Sequence, residues 1–132
     1  MSQYVLMIQI DADDKDITES AMADIRHPVP IKYITGINEL DRVVTEAGLP
    51  SIIMINDRGV MNPATNIISH LKTHSLYSYI PVIILGEVSA TDHIRQYYRA
   101  GASSFIIKPS SIADTHKKIK TFFEYWFEVA EV

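Results

Sequence analysis

The sequence predicts an α/β fold, in which a parallel sheet of five strands is covered by helices on both faces. Short apolar runs of strand length alternate with longer segments whose apolar residues follow the helical period. Strands that are joined through helices pair in parallel, and a sheet covered on both faces buries nearly continuous apolar strands. The 132 residues, with 47% apolar and 21% charged, fit one domain with its own core.

The first half of the chain supplies three strands and two helices. The predicted strands are residues 4–10, 31–34 and 51–55, and the predicted helices are residues 15–26 and 37–47. The first helix should stop before Pro28, because a proline disfavours helical backbone in the residue before it. The second should stop at Gly48, since glycine commonly follows a helix end.

The second half supplies two more strands, residues 81–85 and 104–107, and three helices. Asn62 and Pro63 are typical of a helix start, and this helix should run to about His74. The next helix should end at Gly101, and Ser111 can cap a last helix that runs almost to the C-terminus. The strongly apolar first, third and fourth strands should be interior. This pattern favours a flavodoxin-like doubly wound sheet of order 2-1-3-4-5, whose functional crevice lies at the carboxyl ends of the strands.

Composition narrows the classes of function. The net charge of −4 argues against nucleic acid as a partner, and the cluster Lys117, Lys118 and Lys120 is interpreted as a solvated helix face. There are no cysteines for disulfides or thiol chemistry. No apolar run approaches the roughly 20 residues of a membrane span, and no signal peptide is recognisable. We therefore expect one cytoplasmic domain over residues 1–132, without a separate output domain and without membrane contact.

Lys108 ends the fifth strand in the run GASSFIIKP, directly before a proline that closes the strand. A lysine ammonium at a strand end can neutralise a phosphoryl oxygen. The run resembles the fifth strand of the receiver domains of two-component response regulators, and the resemblance extends over essentially the whole chain. It implies a site in which this lysine faces an aspartate that accepts phosphate from a histidine kinase. It also implies an acid pair that holds Mg²⁺, a hydroxyl at the end of the fourth strand, and a switch aromatic.

The positions that correspond to this site have mostly changed. PSIIMIND places Asn56 at the acceptor position, VLMIQIDADD places Gln9 and Ile10 at the acid pair, and IPVIILG places Gly86 at the hydroxyl position. Lys108 is retained, and Phe105 occupies the switch aromatic position. An amide has no anionic oxygen, isoleucine cannot ligate a cation, and glycine has no hydroxyl. We therefore expect a degenerate site with no catalytic residue, no cofactor, and lost or weak Mg²⁺ binding.

Two acids keep an alternative open. Asp57 follows Asn56, but neighbouring strand residues face opposite ways, so it reaches the crevice only if the strand ends early or bulges. Asp11 lies one residue beyond the acid pair, where it also suits a helix N-terminus. The leading hypothesis is a pseudo-receiver that acts as a phosphorylation-independent protein-interaction module. The alternative is a working phosphoacceptor that uses Asp57 or Asp11 in shifted geometry. An enzyme is not expected, since no nucleophile–base pair appears, and His70 with His74 lack a third metal ligand.

The last helix carries more aromatic residues than one buried stripe requires. We expect at least two of its rings to face outward and to form a homodimer on the side of the fourth and fifth strands and last two helices. The candidate interface residues are Tyr97, Tyr98, Phe122, Phe123, Tyr125, Trp126 and Phe127. The segments IKTFFEYWFEV and LKTHSLYSYIPVIIL resemble single-domain response regulators that are paired with bacterial phytochromes. This resemblance implies dimerisation through the last helix and a sensor histidine kinase as partner.

Overall fold

Five parallel strands form one sheet in the computed structural model, which describes residues 3–9, 15–57, 61–86 and 91–129. The strands are β1 Val5–Gln9, β2 Ile31–Ile34, β3 Ile52–Asp57, β4 Val82–Gly86 and β5 Ser104–Ile107. They pair in the order β2-β1-β3-β4-β5. The predicted fold class and strand order are therefore confirmed, and β1, β3 and β4 are the interior strands, as their apolar runs indicated.

Five helices accompany the sheet, and most of their predicted ends are close to the observed ones. They are α1 Lys15–Ala23, α2 Leu40–Ala47, α3 Met61–Thr73, α4 Thr91–Ala100 and α5 Ile112–Glu124. A 3-10 turn, Ile37–Glu39, precedes α2, and a π-helical segment, Tyr125–Val129, continues α5. Ser111 caps α5 as predicted, accepting a hydrogen bond from the Asp114 amide at 3.0 Å. Asn62 lies inside α3 rather than before it, so that predicted cap is wrong.

The helices divide between the two faces of the sheet. Helices α2, α3 and α4 pack on one face, where Leu40, Ile68 and Tyr97 join alternate strand residues in a buried cluster. Helices α1 and α5 pack on the other face around Met22 and Phe123. Successive residues of the interior strands enter opposite clusters, because strand side chains alternate between faces. The two cores explain why the interior strands are apolar at nearly every position.

Strand β3 is longer than the sequence predicted. It extends through Asn56 and Asp57, where the predicted strand stops at residue 55. Its register continues regularly, with Asn56 opposite Gln9 on one side and Leu85 on the other. Neighbouring strands on both sides supply hydrogen-bond partners, so the backbone stays extended although the side chains become polar. Both residues are thus strand residues and not loop residues.

The C-terminal segment is attached to the loop that follows α1. Glu128 accepts hydrogen bonds from the backbone amides of Arg26 and His27, at 2.6 and 3.2 Å. Near the start of α5, His116 Nε2 lies 3.0 Å from Asp24 Oδ2. Helix α1 ends at Ala23 rather than near residue 26, because the Asp24 and Ile25 amides already bond three residues back, and Glu128 then binds the next two amides.

The open side of β5 is partly covered by side chains from α4 and α5. The Phe105 amide donates to Tyr98 Oη at 3.1 Å, and Lys118 Nζ donates to the Ile107 carbonyl at 2.7 Å. An edge strand with unpaired backbone groups invites pairing with another chain. These two contacts occupy one N–H and one C=O of the β5 edge, which makes strand addition there less favourable. None of the helices in the described part of the chain has the length and apolar character needed to cross a bilayer.

Candidate functional site at the carboxyl edge of the sheet

The strand-end residues that the sequence singled out meet at one edge of the sheet. Asn56 and Asp57 end β3, and Asp57 is in register with Gly86, the last residue of β4. Lys108 directly follows β5, and its amide donates to the Gly86 carbonyl at 2.7 Å. The backbone therefore brings the acceptor, hydroxyl and lysine positions together, as the predicted fold requires.

Asn56 occupies the acceptor position as a fully buried side chain, with an exposed fraction of 0%. Burying a neutral amide is much less costly than burying an ionised carboxylate. The amide also lacks the anionic oxygen with which a carboxylate attacks phosphorus. The position that the sequence identified by counting along β3 thus holds a buried amide and not a carboxylate.

Gly86 is buried between β3 and β5 and offers only its backbone to the site. Its carbonyl accepts the Lys108 amide, so the main chain here belongs to the strand ladder. Lys108 is half-buried next to it and retains the cationic side chain. At the carboxyl ends of β3, β4 and β5 the described residues thus include the Lys108 side chain, while Asn56 carries no carboxylate and Gly86 no hydroxyl.

The aromatic position on β5 is packed against α4. The Phe105 ring lies 5.2 Å from the ring of Tyr97, tilted by 40°, and it borders the core cluster on the α2–α4 face. Tyr97 is itself buried, with 1% of its surface exposed. The prediction that Tyr97 contributes to an intermolecular surface is therefore wrong, because the core of this chain already covers its ring. Its neighbour Tyr98 is exposed.

The β1 end is only partly described. Gln9 closes β1 and is in register with Asn56, while Ile10 and Asp11 lie outside the described residues. For Asp57, the backbone supplies neither an early strand end nor a bulge, since the β3–β4 register runs regularly through this residue. Neither backbone change that would bring Asp57 into the acceptor position is present.

His70 on α3 and His74, the residue directly after α3, are not arranged as a metal site. The rings of His70 and His74 lie 6.2 Å apart, but His74 Nδ1 accepts the Leu76 amide at 3.1 Å. The same ring stacks on Tyr77 at 4.4 Å. His74 therefore supports the turn after α3. Among the residues that the structure describes, no group of three potential ligands could hold a metal ion.

Millimolar Mg²⁺ is expected to leave the melting temperature unchanged. An ion that binds the native state raises the melting temperature by mass action, and Ile10 replaces one of the acids that would bind this ion. Thermal melts with and without Mg²⁺, each compared with Na⁺ at the same ionic strength, provide the measurement. A rise with Mg²⁺ that disappears in Asp11→Ala would instead identify Asp11 as a ligand.

The aromatic residues at the end of α5 are more buried than predicted. Phe123 has no exposed surface, and Phe122, Trp126 and Phe127 pack partly against the α1–α5 core. Tyr125 is the one ring of this group that is more than half exposed, at 56%. The expectation of two outward rings is wrong because α5 contacts α1 as well as the sheet, so more than one stripe is covered. In particular, Phe123 belongs to the core and not to an interface.

Sequence reasoning missed a second feature, at the opposite edge of the sheet. Leu49, Leu76 and Tyr79 lie in connections that precede strands, and all three are exposed. They border a cavity that also contacts Trp126. The helical or strand period of the sequence does not identify these residues, because they lie in the loop after α2 and in the turns after α3. The available signal was the presence of large apolar residues in the turn segment LYSYIP.

Comparison of sequences gives a partial match to one curated protein. No protein-family model matches the chain. One curated protein, named "Probable methanogenesis regulatory protein FilR2" of Methanothrix harundinacea (strain 6Ac), is 27% identical over 78 residues. This match covers 59% of the present chain and 50% of that protein, so the chain spans about half the length of this relative.

Solved structures resemble the chain over nearly its full length. The phosphorylated cyanobacterial phytochrome response regulator RcpA has a TM-score of 0.84 at 16% identity, covering 99% of this chain and 98% of its own. A response regulator in red light signaling of R. palustris has a TM-score of 0.80 at 21% identity, with 98% and 96% covered. A response regulator from Hahella chejuensis has a TM-score of 0.79 at 22% identity, with 99% of each chain covered. The chain therefore has the fold of the response regulator receiver domains, including the phytochrome-linked ones.

Proposed function

We propose that this chain is a receiver-like domain of two-component signalling that acts by binding other proteins and not by accepting phosphate. The observation that carries the proposal is Asn56, a buried neutral amide at the register position of the phosphoacceptor. The proposed setting is the cytoplasm, where a sensor histidine kinase would present its phosphotransfer region.

The chemistry of the site supports the proposal that the domain does not accept phosphate. Transfer of a phosphoryl group to a receiver needs an anionic oxygen to attack phosphorus and groups that neutralise the transferred charge. Lys108 supplies one neutralising cation, but Asn56 cannot supply the nucleophile. Gly86 cannot donate a hydroxyl hydrogen bond to the phosphoryl group. A lysine alone stabilises a phosphoryl group without providing an atom to which it can bond.

The intact fold supports the proposal that the domain acts by binding other proteins. The strand order and the two cores fit the receiver fold, and the proposal places the change at the reactive groups alone. A kinase would recognise a receiver largely through the residues on the surface of the receiver. The groups that differ lie at the strand ends, where Asn56 is fully buried. The domain would then occupy a kinase, or compete with an active regulator for it. RcpA and the R. palustris protein are named for phytochrome or red light signalling, which makes a light-sensing kinase a reasonable partner to test.

Acetyl phosphate with Mg²⁺ is expected to leave the intact mass of the protein unchanged. The reason is the missing carboxylate at position 56, and the measurement is mass spectrometry of the whole chain under non-acidic conditions. Asp57→Asn is the matched variant, because it removes the neighbouring carboxylate and keeps the size of the side chain. A gain of one phosphoryl group in the wild type that is lost in Asp57→Asn would overturn the proposal and establish Asp57 as acceptor.

Binding to a kinase is a separate arm of the same test. Titration of this protein with the phosphotransfer region of a sensor kinase encoded beside its gene should give the same affinity with and without acetyl phosphate. Lys108→Met should leave that affinity within about 3-fold, a change of about 0.7 kcal/mol. An affinity that depends on the phosphodonor would contradict a phosphorylation-independent module, even if the partner is correctly identified.

We also propose that the protein forms a homodimer through the face formed by α4, β5 and the end of α5. Exposed apolar side chains on α4 and on the π-helical segment that continues α5 are Tyr98, Tyr125 and Val129. The Tyr98 and Lys118 contacts occupy two backbone groups at the β5 edge, which favours side-chain packing over strand addition as the way to join two copies. A two-fold axis would place the same residues on both protomers.

Light scattering is expected to report a dimer at micromolar concentration for the wild type and a monomer for the double variant Tyr125→Arg with Val129→Arg. A charged guanidinium would be desolvated in a closed apolar contact, which strongly disfavours association. Tyr79→Arg is the matched control, since Tyr79 is 90% exposed at the opposite edge of the sheet. A wild type that stays monomeric at high concentration would remove the dimer proposal and leave the proposed kinase binding untouched.

A further inference from the structure

A cavity of about 640 Å³ opens at the amino edge of the sheet, at the end opposite Asn56 and Lys108. Its wall is formed by residues that precede three neighbouring strands. Gln3 precedes β1, Ser51 precedes β3, and Pro81 precedes β4. Trp126, from the π-helical segment after α5, completes the wall. The cavity is therefore separate from the receiver-type crevice and shares none of the residues argued above to form it.

The described lining is mostly apolar and aromatic, with Gln3 and Ser51 as its polar residues, and it includes no charged side chain. Leu49 and Leu76 are 39% and 48% exposed, and Tyr79 is 90% exposed. An isolated exposed leucine is ordinary, but three large apolar side chains around one cavity form a patch that usually marks a binding surface. Two prolines, Pro50 and Pro81, fix the backbone of the rim, so the cavity is largely pre-formed.

Trp126 adds a second observation, independent of the shape of the cavity. Its indole nitrogen is buried, and within the described residues this N–H has no hydrogen-bond partner. Buried donors are nearly always paired, so an unpaired one calls for an explanation. Because protein atoms cover the nitrogen, an acceptor in the cavity reaches it only if the indole turns. A ligand that made this bond would satisfy the donor and change the environment of the indole.

We propose that this cavity binds a neutral, flat aromatic small molecule that carries a hydrogen-bond acceptor. The volume lies within the range of about 300–1,000 Å³ that is typical of small-molecule sites. A stable protein interface buries about 800 Å² on each partner, so a protein would have to contact the surrounding surface as well as the cavity, whereas a small molecule would not. The described lining residues offer no charged side chain to pair with an ionic ligand, and the indole and phenol rings favour a planar apolar body. The proposal does not rest on the proposed signalling function.

The single tryptophan of the chain makes this proposal directly testable. N-phenyl-1-naphthylamine is a neutral aromatic probe that can accept energy from a nearby indole. Titration should quench Trp126 emission and saturate at one probe per chain, and in the ¹⁵N-labelled protein it should shift the one indole N–H resonance. The anionic analogue 8-anilinonaphthalene-1-sulfonate should bind at least about 10-fold more weakly, a difference of about 1.4 kcal/mol.

Two substitutions locate the binding site. Leu76→Arg and Tyr79→Arg should each weaken N-phenyl-1-naphthylamine at least about 10-fold, because both place a cation at the rim. Ile112→Arg is the control, since Ile112 is 73% exposed on α5 and does not line the cavity. Circular dichroism melts establish that each variant is folded. Non-saturating quenching, equal binding of the anionic analogue, or equal weakening by Ile112→Arg would overturn the proposal.

Discussion

Phe123→Ala is expected to lower the free energy of unfolding by about 3–5 kcal/mol, the usual cost of removing a buried phenylalanine ring. Phe123 has no exposed surface and lies in the core between the sheet, α1 and α5. Its ring lies 5.9 Å from Phe122 and 6.3 Å from Phe127, so a cavity there would also loosen its neighbours. Since domains of this size are stable by only about 5–15 kcal/mol, the variant should be close to its stability limit.

Equilibrium denaturation in urea measures this loss, and Tyr125→Ala is the matched control. Tyr125 lies two residues further along the chain and is 56% exposed, so its truncation should change stability by no more than about 0.5 kcal/mol. The comparison tests the assignment of core and surface at the end of α5. Similar losses for the two variants, measured at protein concentrations where association is constant, would show that this assignment is wrong.

Asn56→Asp is expected to destabilise the protein by about 1–3 kcal/mol at neutral pH, because it leaves an acid in a fully buried site built for an amide. Burial raises the pKa of a carboxyl group above its unfolded value of about 3.9. The native state then binds the proton more tightly than the unfolded chain. The variant should therefore approach wild-type stability below about pH 4 and lose stability as the pH rises through its native pKa.

Asn66→Asp is the control for this experiment, since it makes the same chemical change at an exposed position of α3. Urea denaturation of both variants between acidic and neutral pH separates burial from the general effect of added charge. If Asn56→Asp is as stable as the wild type at every pH, the site accommodates an ionised carboxylate. Asn56 would then not be required for stability, and the emptied acceptor position would need another explanation.

The sequence was most informative where a local chemical rule acts over a few residues. Ser111 caps α5 as predicted, because an N-cap depends only on the next three residues. Gly48 follows α2 with a φ of 83°, a conformation that glycine adopts without strain. Counting along the strands placed Asn56, Gly86 and Lys108 at the same edge, because the carboxyl ends of parallel strands meet there.

Predictions of burial and of element ends were less successful, since they depend on elements that are distant in the sequence. After the early end of α1, the next two amides bind Glu128, about a hundred residues later, which the local sequence does not indicate. Strand β3 extends through Asp57 because β4 continues beside it. The aromatic residues of α5 looked too numerous for one stripe, but α1 covers a second stripe and takes Phe123 into the core.

The class of fold, the strand order and the residues at the receiver-type site could all be predicted from the amino-acid chain alone. The class of fold follows from periodicity, the strand order from the apolar runs that suit a flavodoxin-like sheet, and the site residues from the resemblance to receiver domains. Only the tertiary structure decided which apolar residues are exposed and where the cavity at the amino edge lies. Burial is a property of the surface that another element supplies, so Tyr97 and Tyr98, adjacent and chemically identical, end in the core and at the surface.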